Sequence, residues 1–122
     1  MPRRYDLEGR LLGFAVQACR IVERLPPTVI GRHVGTQLVR SVTSPPANYA
    51  EAQGAESRRD FVHKLRICLK ELRETRTWLK FVSRMELLPA GTAVDAAVAE
   101  ADELIAILVT SIRTAGRRAN VQ

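Results

Sequence analysis

Phe61, Leu65, Cys68, Leu72, Thr75, Leu79 and Val82 recur at alternating steps of four and three residues, without a break. That period places all seven on one stripe of a single α-helix, and a stripe this long has to be covered by other helices. A helix from Arg58 to about Arg84 is therefore predicted, and with it an all-α bundle. Composition agrees: aromatic residues make up only 5% of the 122, so the core must rest on Leu, Val, Ile and Ala, which suits helices better than a sandwich or barrel. A chain of this length makes one domain, here residues 1–122, with a core that needs neither disulfide nor metal.

Three further helices follow from their start and stop signals. Asp6 is a helix cap, and Leu11, Leu12, Ala15, Cys19 and Val22 recur at helical spacing up to the "LPP" at 25–27. Thr28 caps a second helix carrying Val34, Leu38 and Val42. Pro45 and Pro46 then remove rungs from its ladder, so the chain must either kink or stop and restart with Ser44 as cap. Gly54 ends this helix through its tolerance of left-handed dihedrals. "SRRD" (57–60) reads as a capping box for the third helix, and "TAVD" (92–95), after the turn "LLPAGT", as another for the fourth. The fourth helix carries Val94, Val98, Ala101, Ile105, Leu108 and Ile112 and is expected to end at Gly116, leaving "RRANVQ" as a frayed tail. The expected helices are 6–25, 28–53, 58–85 and 93–115, in an antiparallel up-down four-helix bundle whose second helix is interrupted or kinked near Pro45-Pro46.

Sites of known chemistry are hard to assemble from this sequence. The stretch "TSPPANYAEAQGAESRRD" lacks the glycines and the Lys-Ser or Lys-Thr of a phosphate-cradling loop. Asp60 and His63 form one carboxylate–histidine pair at i, i+3, but a di-metal bundle needs two, and His33 has no acid three residues before it. No Ser stands in a nucleophile elbow, and Cys19 and Cys68 form no Cys-x-x-Cys motif. Asn48 and Glu51, one turn apart, are expected to bond Arg40 or the backbone freed by the prolines. No catalytic residue, metal or cofactor is expected, and the chain reads as a non-enzymatic protein. Two unpaired cysteines and the absence of a signal peptide point to the cytoplasm. "LLGFAV" (11–16) is too short to enter a membrane as a span.

Charge is distributed unevenly. The net charge is +6, and residues 57–84 hold nine bases against three acids, while the remainder of the chain sums to zero. With the apolar seam turned inward, Arg59, His63, Arg66, Lys70, Arg73, Thr77, Lys80 and Arg84 form the outward face, with no acid among them. A solvated helix ordinarily mixes signs to gain i, i+4 pairs. A one-signed stripe about 38 Å long points to a polyanion, RNA or DNA, or to an acidic protein partner. The bland alternative is a solvated face in an Arg-rich proteome. Trp78, Phe81 and Met85 lie beyond the seam and are surplus apolar surface, the kind that marks contacts between proteins.

The residues Gln37 and Arg40, the Ser-x-Pro-Ala-Asn-x-Ala-Glu core at 44–51, Ser57, Phe61 and the Lys-Glu-x-x-Glu-Thr-x-x-Trp-Leu run at 70–79 resemble the bacterial four-helix-bundle proteins named for reading frames in intervening sequences of 23S rRNA genes. The resemblance implies an up-down bundle, a homo-oligomeric ring typically of five subunits, and structural roles for Arg40, Asn48, Glu51 and Glu74. A related branch, the basic accessory protein of diversity-generating retroelements, is similar in fold and charge and implies a reverse transcriptase as a further candidate partner. No catalytic residues come with the family. Pro45, usually aliphatic there, and Ala52, often glycine, depart from its pattern.

Overall fold

A computed structural model describes residues 6–89 and 91–121. Four helices follow one another: α1 (Leu7–Glu23), α2 (Val29–Gln53), α3 (Arg58–Arg84) and α4 (Thr92–Val121). Each of the first three starts on a side-chain cap. The Asp6 carboxylate accepts from the Gly9 amide at 2.9 Å, the Thr28 hydroxyl from Gly31 at 3.0 Å, and the Ser57 hydroxyl from Asp60 at 3.0 Å, each satisfying a donor with no partner inside the helix. The expected reciprocal bond from the Ser57 amide to the Asp60 carboxylate is absent among the described residues, so Ser57 caps α3 alone. Thr92 is already helical, and its side chain lies outside the described ones.

Neighbours in sequence are neighbours in space: α1 packs on α2, α2 on α3 and α3 on α4, and the ring of contacts closes through a sparser α1–α4 seam. Helices α1 and α3 thus stand on opposite corners of an all-α four-helix bundle. The seam of α3 is the centre of the core. Leu65, Cys68, Leu72, Thr75, Leu79 and Val82 are all buried, as are Val34, Leu38 and Val42 of α2. At the first position of the seam Val62, not Phe61, goes inward, and Phe61 is half-buried beneath the Arg58 guanidinium at 5.8 Å. In α1 the buried stripe is Leu7, Leu11, Phe14, Ala15, Ala18 and Ile21, and Leu12 is 52% exposed. A run of adjacent apolar residues in α1 fits more than one helical stripe, and Phe14 with Ala18 packs better than Leu12 with Cys19.

Helix α2 is continuous through both prolines, so the stop-and-restart alternative does not occur. Proline supplies no N–H to the carbonyls of Ser41 and Val42, four residues back. Small polar groups gather beside this stretch, although among the described residues none of their hydrogen bonds goes to either freed carbonyl. The Thr75 hydroxyl stands 2.8 Å from that of Ser41, the Cys68 thiol donates to the Pro45 carbonyl at 3.3 Å, and the Asn48 amide donates to the Ser44 carbonyl at 3.1 Å. Burial pushes the Cys68 thiol up to about 12, which keeps it protonated as a donor. Gly31 is held against the Pro26 carbonyl, where a Cβ would lie 2.1 Å away, so the α1–α2 turn can close only on glycine.

Two helix ends depart from expectation, and a third, where expected, closes in an unexpected way. Gly54 closes α2 with φ −102°, not in the left-handed region. Gly116 does not end α4, which continues to Val121 across the supposed tail. Helix α3 ends on a Schellman motif: the Leu87 amide donates to Val82 O and the Glu86 amide to Ser83 O, both at 3.1 Å, with Glu86 at φ 52° in the position glycine usually fills.

Candidate nucleic-acid interface

Because α3 is clamped by α2 on one side and α4 on the other, its remaining face is fixed by geometry. Arg59, His63, Arg66, Lys70, Arg73, Thr77, Lys80 and Arg84 are all exposed on that face. The other bases of the segment are occupied at its flanks. Lys64 pairs with Glu51 of α2 at 3.0 Å, Arg76 with Asp102 of α4 at 2.8 Å, and Arg58 lies over Phe61. Two of the three acids of the segment are turned away, Glu71 and Glu74 both facing Arg40 of α2, and the third, Asp60, sits in the first turn at the end of the stripe. Arg59, Arg66, Lys70, Arg73, Lys80 and Arg84 form no ion pair among the described residues. Their charges add along one face, and Lys70, after Arg40, also helps to hold the Glu74 carboxyl down through space.

The Arg40 network borders this face on the α2 side. Glu74 accepts from the Arg40 guanidinium and from the Trp78 indole N–H at 3.2 Å, and Glu71 accepts from Arg40 at 3.3 Å. The hydrogen bond from Arg40 holds the Glu74 carboxyl below the usual carboxylate range, and the same bond raises the Arg40 guanidinium. Trp78 is thereby fixed by its ring nitrogen. His33 meets its ring edge-on at 5.8 Å between centroids, and Phe81 does so at 5.9 Å. Phe81 is 38% and Met85 43% exposed, and Val29 and Ile30, one turn from His33 on α2, are exposed as well.

The sequence-predicted residues thus separate into three groups. The six stripe cations share one face. Trp78 and Phe81 touch, and Met85 lies one turn further along α3. Arg40 and Glu74 are partners, but Asn48 and Glu51 belong elsewhere. Asn48 donates to the backbone and hydroxyl of Ser44 beside the prolines, as expected of it, whereas Glu51 pairs with Lys64. His33, Lys64 and Arg76 gained their partners from neighbouring helices, and only inter-helix register could have revealed this. Among the described residues no group of three His, Cys, Asp or Glu is placed to hold a metal, and no helix is long and apolar enough to cross a membrane.

Comparison with known proteins fits this architecture. A family model described as 23S rRNA-intervening sequence protein matches residues 10–110. A crystal structure from Bacteroides thetaiotaomicron, described as a protein of unknown function from the S23 ribosomal protein family, is similar with a TM-score of 0.75 and 30% sequence identity, over 87% of this chain and 97% of that one. No curated protein matches the chain.

Proposed function

The chain belongs to the 23S rRNA-intervening sequence protein family, and from that premise we propose that it is a non-enzymatic, homo-oligomeric helical bundle that binds nucleic acid through the outer face of α3. The observation that carries this reading is the sorting of charge along α3. Two of the three acids of the segment are engaged at a flank by Arg40, the third lies in the first turn, and six cations are left together on one exposed face. Such a face raises the local concentration of a polyanion and gains affinity by releasing its counterions. The surplus apolar surface at Trp78, Phe81 and Met85 supports self-association. In an assembly of several copies the stripe would be repeated by symmetry, and each weak contact would strengthen the others.

Charge reversal tests the reading. Arg66, Arg73 and Lys80 changed together to Glu should weaken binding in a gel shift for every sequence tried and flatten its dependence on log salt. Arg24, Arg113 and Arg117 are exposed cations away from the stripe and make the matched control. Equal losses from the two triple variants would mean that net charge alone drives binding. Absence of binding by the wild type at low salt, with capture by an acidic protein instead, would replace nucleic acid by a protein partner.

A further inference from the structure

The cations of α3 are grouped, not evenly spread. Arg59 stands alone, Arg66, Lys70 and Arg73 form a middle cluster, and Lys80 and Arg84 a third, with His63 and Thr77 in the gaps. At 1.5 Å per residue the clusters are centred about 16 and 18 Å apart along a straight helix. One turn of B-form duplex spans roughly 34–36 Å and carries two strands, so a line along its surface meets a phosphate backbone on average about every 17 Å. Resting on the nucleic-acid reading above, we infer that the ligand of this face is a duplex, lying along α3 for about one turn and contacted only on its phosphates.

Two features of the bundle support this choice. A recognition helix reads bases by entering a major groove about 12 Å wide. The outer face of α3 offers only Arg, Lys, His and Thr, with none of the Asn, Gln, Asp or Glu that pair with adenine or cytosine edges. Contacts to phosphates then dominate, and binding is largely independent of sequence. Single strands are held by cationic grooves with aromatic rings on which bases stack. The stripe is a ridge, not a groove, and holds no Phe, Tyr or Trp. Helix α3 does carry Phe61, Trp78 and Phe81, but Phe61 sits under Arg58, and Trp78 and Phe81 pack edge-on to each other.

Fluorescence anisotropy of the full chain at low salt can decide. The probes are two DNA hairpins with unrelated 12-base-pair stems, one with a 6-base-pair stem, and single strands matching the longer stems in length. The two long stems should bind within about twofold of each other, and at least about tenfold more tightly than the single strands or the short stem, which reaches only two clusters. Substituting Arg59, Lys80 and Arg84 by Gln, with the fold checked by circular dichroism, should bring the long stems down to the affinity of the short one. Single strands bound as tightly as stems, a strong difference between the two stem sequences, or no effect of stem length would each overturn the duplex assignment while leaving nucleic-acid binding in place. No binding to any probe would remove both.

Discussion

At Glu74 one carboxylate holds two helices and orients an aromatic ring, since it accepts from Arg40 of α2 and from the Trp78 indole. Its pKa is lowered, chiefly by the Arg40 hydrogen bond, so the folded state favours the ionised form. The pair therefore contributes fully above the ordinary carboxyl range, and its contribution is lost as pH falls through the lowered value. Glu74→Gln should lower the urea midpoint slightly at neutral pH, and the difference from wild type should vanish in strongly acid buffer. A difference that persists there would assign the effect to packing. A second residue works against its own backbone. Glu86 occupies left-handed space that costs a non-glycine residue roughly 1–2 kcal/mol. Glu86→Gly should raise stability, by less than that because glycine also loosens the unfolded chain, and thermal melts would read it. Residue identity was visible in the sequence at Arg40 and Glu74, but their partnership was not, because pairing across helices depends on register that neither helix of the pair encodes alone.

Helix α3 was legible because its seam has one period and no competing one. Leu72 and Leu79 are fully buried in it. Truncating either to Ala should cost about 2–5 kcal/mol in urea titration. A loss below about 1 kcal/mol at both would deny the seam its central place. Helix α1 was read one step off, at Leu12, because its apolar residues are adjacent and only the shape of the neighbouring helices chooses between stripes. Helix α4 was read too short at Gly116. A helix tolerates an interior glycine at about 1 kcal/mol, and a Cβ at Gly116 would meet nothing within 4 Å, so neither a turn nor a close approach requires glycine there. The prolines of α2 were read correctly as missing rungs. That the helix continues past them is set by packing: Pro45 and Pro46 are both buried, against a helix α3 that offers the small polar Thr75 and Cys68 at this level.

On the scale of the whole molecule, the net positive charge is gathered on the outer face of one corner helix, α3. Alternation along α3 made the outward cations readable in the sequence, whereas the flanking pairs Lys64–Glu51 and Arg76–Asp102, which leave the stripe one-signed, required the fold. If the exposed patch around Phe81 and Met85 is covered by another copy, sedimentation should give a species several times 13.6 kDa, and Phe81→Glu with Met85→Glu should return it to a monomer. A wild-type monomer at tens of micromolar would reject self-association. The sparse seam between α1 and α4 carries a different consequence. Helix α1 packs closely only on α2; to α4 it is tied mainly by Arg10, which pairs with Glu100 at 2.7 Å and Glu103 at 3.3 Å, and it meets α3 only through side chains of the shared core. It is therefore the element that can swing out at the lowest free energy while the other three stay assembled. Native-state hydrogen exchange should find the amides of α1 exchanging through a partial opening that urea hardly promotes, and those of α3 only through global unfolding. The cation-bearing side of the bundle would then be its most rigid part, and the opposite corner the hinge at which the molecule breathes.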